Sequence, residues 1–257
     1  MLWFLLIAVI IFGVVVYRSH LFQQFLAAEG IKPSLNKEEL YSLQKHFAYY
    51  RALPPKSQRI FAYRVNRFKK LTEFVPRHMG EVTSEMEVLI SASAVQIAFG
   101  FADVFLAHFD RIIVYPDQFF STADQRYHKG EVNPAMAVIV ISWRHFVEGY
   151  ATEEGLNLGL HEMAHALQLE NVIMNDEFGF MDEDAIKLWQ GLASQEMRLI
   201  REGKSTFFRS YAGTNHAEFF AVAVENFFER PKEFSEHHSA LYKTLADLLQ
   251  QDPLLLR

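Results

Sequence analysis

Residues 161–165 read His-Glu-Met-Ala-His. On a helix, positions i and i+4 stand one above the other on the same face, so His161 and His165 can offer two imidazole nitrogens to one metal ion. Zn2+ takes such nitrogens at about 2.0–2.1 Å. Glu162 falls roughly 100° around the helix from His161, beside the ion instead of on it. A carboxylate there can take a proton from a metal-activated water as that water attacks a carbonyl. Composition alone predicts about 0.04 such matches in a chain of this length, so the neighbours must add weight. Leu156, Leu160, Met163 and Leu167 form an apolar stripe at helical spacing, and Asn157, His161, His165 and Gln168 form a polar stripe beside it. One side of the helix can be buried while both histidines face a cleft. The alternative is a solvated helix carrying two surface histidines.

A catalytic zinc takes three protein ligands and keeps one position open. The chain has no cysteine, which leaves His, Asp or Glu for the third ligand of one Zn2+ per chain. The segment from Tyr211 to Glu225 offers His216, Glu218 and Glu225. Glu218 and Glu225 share a helix face, with Phe219, Phe220, Val222 and Phe227 as apolar neighbours. A carboxylate in such surroundings carries a heavy desolvation cost unless it is paired or metal-bound. This points to Glu218 as the ligand. Glu225 keeps two open roles, acceptor for the N–H of a ligand imidazole or partner in an ordinary salt bridge. His216, near a helix start, is held in reserve. Asp176, Glu177 and Asp182 would need the chain to turn back within a few residues of the helix end. A phenol at Tyr211 can donate a hydrogen bond to a tetrahedral oxygen. On spacing alone a buried structural tyrosine is the better account of it.

Helices must hold most of these groups, and the hydrophobic periodicity supplies them. His20 to Leu53 reads as a linker and helix stopped at Pro54-Pro55, and Ser57 to Phe74 as an amphipathic helix interrupted near Pro76. Ser84 to Phe101 reads as a buried helix. Arg111 to Tyr115 is a short strand, and Ala135 to Ser142, apolar on both faces, an inner strand. Thr152 to Asn171 is expected as a helix with Glu153 and Glu154 near its positive N-terminal end. Further helices are expected around Asp184 to Glu202, over Asn215 to Glu229, and over Ser239 to Gln251. The fold class is α+β, predominantly helical, with a small sheet from the middle of the chain.

The chain of 257 residues is 50% hydrophobic, enough for one sizeable core or a main domain with a small helical annex. A formal net charge of −6 and a pI near 6.0 without a basic run argue against nucleic acid as a partner. Met1 to Tyr17 carries no charge, and at about 1.5 Å per residue comes close to a hydrocarbon core of ~30 Å. Trp3 and Tyr17 mark its ends. No Lys or Arg precedes the run and no A-x-A pattern follows it, so an uncleaved transmembrane anchor is expected instead of a signal peptide. Arg18, Lys32 and Lys37 on its C-terminal side put the rest in the cytoplasm, giving a single-pass protein of the inner (cytoplasmic) membrane. The expected division is an anchor over 1–17, a linker and helical region over 18–75, and a catalytic domain over 76–257.

Several pieces together resemble the Mlc titration factor A family, bacterial zinc peptidases of the gluzincin type. They are Leu53-Pro54-Pro55, Tyr115 to Phe119, His161 to His165, Tyr211-Ala212, Ala217 to Val222 with Phe227-Phe228, and the closing Tyr242 to Pro253. The resemblance runs from about Leu40 to Pro253. It implies a zincin-like fold, with the HExxH helix beneath a small sheet whose edge strand pairs with an extended peptide. It implies His161, His165 and Glu218 as zinc ligands, Glu162 as general base, and Tyr211 as an oxyanion-stabilising residue. The implied activity is that of a peptidase, aminopeptidase-like on small substrates. The family's namesake also binds a glucose-responsive transcriptional repressor. Two departures stand out, the apolar N-terminus and the run Ala166-Leu167-Gln168-Leu169-Glu170, where the family has Lys-Leu-Asp and a Gly-containing acidic loop. Substrate preference therefore does not carry over. The expected function is hydrolysis of peptide or protein substrates. The alternative is a membrane-tethered regulatory protein that binds a repressor or other protein partner, its zinc being structural.

Overall fold

The computed structural model describes residues 35–102, 104–121, 125–151 and 154–256. Asn36 opens helix α1 (Lys37–His46) with a reciprocal cap: its side chain accepts from Glu39 N at 2.9 Å, and Glu39 Oε2 accepts from Asn36 N at 2.8 Å. The helix expected to run on to Leu53 breaks at Phe47, which is extended (φ −113, ψ 94) and buried. A short helix α2 (Ala48–Ala52) follows. Helix α3 (Pro55–Leu71) starts on a proline whose missing N–H costs nothing in the first turn. It ends earlier than its periodicity suggested, because Glu73–Pro76 forms strand β1, paired in parallel with β2 (Arg111–Tyr115). Helix α4 (Ser84–Ala98), capped by Thr83, is buried along the whole of Val88 to Ala98, as its unbroken apolar run requires.

Strands β3 (Phe119–Ser121) and β4 (Arg126–His128) pair as a separate antiparallel ribbon. Strands β5 (Gly130–Asn133) and β6 (Val138–Ser142) complete a four-stranded sheet of order β1-β2-β6-β5. Its first three strands are parallel, and β5 runs antiparallel at the edge. Every residue of β6 is buried, in keeping with an inner strand.

The helix expected over 152–171 starts six residues later, and a separate, unforeseen helix precedes it. Helix α5 (Trp143–Ala151) stops, and α6 (Leu158–Val172) starts from an Asn157 cap whose Oδ1 accepts from Leu160 N at 3.0 Å. Glu154 stands in the loop before the cap and not in the first turn, and Glu153 lies outside the described residues. Helices α7 (Glu183–Arg201) and α8 (His216–Glu229) fall where expected, capped by Asp182 and Asn215. Helix α9 (Pro231–His237) was not foreseen, and α10 (Ser239–Leu249) ends at Gln250, which adopts a left-handed conformation (φ 50). A mostly helical chain with a small sheet agrees with the α+β expectation.

The core positions α6. Leu160, Met163, Ala164, Ala166 and Leu167 are buried, and α6 packs against α4 and α8 and beneath β5 and β6. Burial of each large side chain among them contributes about 1.5–3 kcal/mol. On α8 the run Phe219 to Phe228 is buried throughout, with the rings of Trp189, tilted, and Phe208, edge-on, packed against Phe219. The two helices are thus held rigidly side by side, with their polar residues facing the gap under the sheet.

The expected single-pass inner-membrane placement, with association to the membrane through an N-terminal helix, is corrected. No described helix is long and apolar enough to cross a membrane. The apolar run from Met1 to Tyr17 that carried the expectation lies outside the described residues.

Candidate metal centre

His161 and His165 project from one face of α6 into the gap toward α8, with ring planes at 85°. Their Nε2 atoms are 3.2 Å apart. Glu218 occupies the third turn-forming position after the Asn215 cap, whose Oδ1 accepts from Glu218 N at 3.0 Å. Its Oε2 lies 3.2 Å from His161 Nε2 and 3.6 Å from His165 Nε2. Four donors at about 2.0–2.1 Å around one ion stand about 3.3–3.4 Å from each other at the corners of a tetrahedron. The three observed separations bracket that value, and three donors leave one corner open. Glu218 Oε2 is also buried without a hydrogen-bond partner, a costly condition for a carboxylate unless a cation meets it. Among the described residues these three form a group able to hold a metal ion.

Burial acts to lower the His161 pKa, but the carboxylates of Glu218 on Nε2 and Glu225 on Nδ1 outweigh it and push it up to about 10. Proton and metal ion therefore compete for Nε2. Burial acts to raise the Glu218 carboxyl, and the two imidazoles beside it win, holding it well below the usual carboxylate range.

Glu162 is buried, and that burial lifts its pKa above the ordinary value against the pull of the two imidazoles. The change moves the carboxylate toward what a general base at neutral pH needs. Strand β5 passes directly over it: a Cβ built on Gly130 would come within 2.3 Å of Glu162 Oε1. Only glycine fits there while Glu162 keeps its place. Tyr211 stands on a 3-10 turn (Ser210–Gly213) that packs against α8. Its ring centre is 6.2 Å from that of His161, and the side chain is about half exposed. Burial, and then the Glu218 carboxylate nearby, push its phenol up to about 12, which keeps it a proton donor at neutral pH.

Glu225, 1% exposed, meets both an imidazole and a cation. Its Oε1 accepts from His161 Nδ1 at 2.6 Å, and Arg209 forms an ion pair with it. Asn157 N donates to its Oε2 at 2.8 Å. One turn on, Glu229 accepts from Gly155 N at 2.7 Å and Asn157 Nδ2 at 2.9 Å. Burial pushes Glu229 up to about 7 against those bonds. The two carboxylates clamp the loop that starts α6. The other candidates stand apart from the metal group. His216 is exposed and contacts Ser194 Oγ. Glu177 accepts from Phe105 N, Asp182 caps α7, and Asp176 is exposed in the loop after α6.

Arg209, Asn157, Glu229 and Gly130 were not singled out for such roles by sequence reasoning. The i,i+4 spacing of Glu225 and Glu229 was a visible signal that both face one partner. Nothing local tied Arg209 or Gly130 to residues so distant in the chain.

A family model described as glucose-regulated metallo-peptidase M90 matches residues 24–250. The uncharacterized protein slr2042 of Synechocystis sp. is 25% identical over 223 residues, covering 80% of this chain and 81% of that relative. Mlc titration factor A of Edwardsiella ictaluri is 27% identical over 213 residues, covering 75% and 78% of the two chains. Mlc titration factor A of Escherichia fergusonii is 27% identical over 165 residues, and the match spans 57% of this chain and 61% of that relative.

Proposed function

The chain belongs to the glucose-regulated metallo-peptidase M90 family, and from that premise we propose that it is a zinc-dependent peptidase acting on peptide or protein substrates. His161, His165 and Glu218 are its metal ligands, Glu162 its general base and Tyr211 its oxyanion donor. The observation that carries this most is the trio of donor atoms at 3.2, 3.2 and 3.6 Å from one another, with the Glu218 oxygen buried beside the two imidazoles and making no hydrogen bond.

Zinc held there supplies a Lewis acid that lowers the pKa of water toward neutrality and polarises a carbonyl. Glu162 takes one proton from the attacking water as its oxygen bonds to the carbonyl carbon. When the C–N bond breaks, Glu162 returns that proton to the leaving nitrogen. Tyr211 donates a hydrogen bond to the tetrahedral oxygen. Glu225 fixes the His161 ring through Nδ1, so that Nε2 faces the other two donors. Strand β5 pairs with β6 on one side only among the described strands. Its other edge is where an extended substrate backbone would pair, and Gly130 lets strand β5 itself run close to Glu162.

Digestion of a peptide library, with new termini read by mass spectrometry, tests this. Cleavage is expected in metal-replete buffer, is lost with a chelator, and returns with added zinc. No cleavage by zinc-loaded protein, or cleavage that ignores the chelator, contradicts it.

The name Mlc titration factor A, borne by two of the relatives, favours a second reading. In it the chain binds a regulatory protein such as Mlc and the metal serves structure. Its mark is partner binding that Glu162→Gln retains in full while the wild type cuts no peptide.

A further inference from the structure

Arg209 lies in the stretch between α7 and α8, two residues before Tyr211, and belongs to none of the motifs. Its guanidinium grips Glu225 with both ends: Nη2 donates to Oε1 at 2.7 Å and Nη1 to Oε2 at 2.9 Å. Nη1 also donates to Gly155 O at 2.7 Å, in the loop that starts α6. Nη2 stands 3.5 Å from His161 Nδ1, and the guanidinium carbon 5.9 Å from the centre of the Tyr211 ring. One planar group thus touches the carboxylate behind a metal-binding imidazole, the loop that begins its helix, and the ring of the expected oxyanion donor.

The Asn157 N–H holds only the Oε2 end of Glu225, and a carboxylate held at one end can rotate its other oxygen away from His161 Nδ1. A bidentate fork removes that freedom, because its two N–H···O bonds define the carboxylate plane. We propose that Arg209 is a positioning residue of the metal centre: by clamping Glu225 against His161 Nδ1, it fixes the tautomer and ring orientation that turn His161 Nε2 toward Glu218 and His165. This deepens the metallopeptidase reading and rests on it, but its readout is metal affinity and does not require a known substrate.

The test measures the zinc dissociation constant of the full chain by chelator competition at fixed pH, on folded protein. Arg209→Met is expected to weaken zinc about 10–100-fold, the usual scale for losing an outer-shell partner. Glu225→Gln should fall in the same range. Since Arg209 acts through Glu225, the double variant should bind no more weakly than Glu225→Gln alone. The His161 Nδ1–H resonance should move in Arg209→Met. Arg209→Lys keeps the charge without the fork and should weaken zinc by about threefold or more. A purely structural Arg209 would lower Tm while leaving zinc affinity and the resonance at wild-type values, which overturns the inference. Losses that add fully in the double variant overturn it as well. If Arg209→Met does not fold, Arg209→Lys decides, and wild-type affinity there overturns the clamp. A wild type that binds zinc yet cuts nothing sinks the peptidase reading alone, while a zinc affinity indifferent to Arg209 sinks this inference alone.

Discussion

Glu162→Gln is expected to lower kcat for peptide hydrolysis by about 10²–10⁴-fold, the usual share of a general base, with zinc content and KM close to wild type. That loss corresponds to about 3–5 kcal/mol of transition-state stabilisation. The amide has nearly the shape of the carboxylate and fits the same buried space beneath Gly130, so folding and metal uptake should survive. It cannot accept the proton of the attacking water. Because the missing interaction exists only in the transition state, kcat and kcat/KM should fall together. Steady-state kinetics beside elemental analysis of the same sample checks this. A variant that turns over within threefold of wild type would show that another group takes the proton.

Adding zinc to metal-free protein, at about 1,000 times its dissociation constant, should stabilise the fold by about 4 kcal/mol. For a chain of this size that is a rise in Tm of roughly 8–16 °C. Glu218→Ala should lose most of the rise. Two imidazoles on one helix then hold the ion without the carboxylate from α8, and the metal no longer ties the two helices together. The shift on adding zinc is the quantity to compare, since the substitution also removes the partner of His161 and His165 in the metal-free state. A Glu218→Ala protein that gains as much from zinc as wild type would move the third ligand elsewhere.

The histidine pair was legible because its spacing is local, and Glu218 because of its neighbours. His161 and His165 are one helical turn apart, and Glu218 sits among phenylalanines that a lone carboxylate would not choose. The buried helix at Ser84 and the inner strand ending at Ser142 were legible for a similar reason, since each is an apolar run whose length settles its type. Strands β1 and β5 were not. Glu73–Pro76 continues a helical pattern in the sequence, and only pairing with Arg111–Val114 makes it a strand. Gly130–Asn133 is mostly polar, as an edge strand over the Glu162 carboxylate can be. The start of α6 was placed too early because Thr152 to Asn157 shows no proline; the stop comes from tertiary contacts, with Glu225 and Glu229 binding the loop at Gly155 and Asn157. Arg209 could not be found for the same reason, as its partners lie 16 to 54 residues away.

Anomalous scattering at the zinc edge from crystals of the metal-loaded protein bears most directly on where the ion sits. One peak is expected per chain, about 2.0–2.2 Å from His161 Nε2, His165 Nε2 and a carboxylate oxygen of Glu218, with no other protein atom bound to it. A peak elsewhere, or a peak at the histidines with Glu218 turned away, would contradict the account.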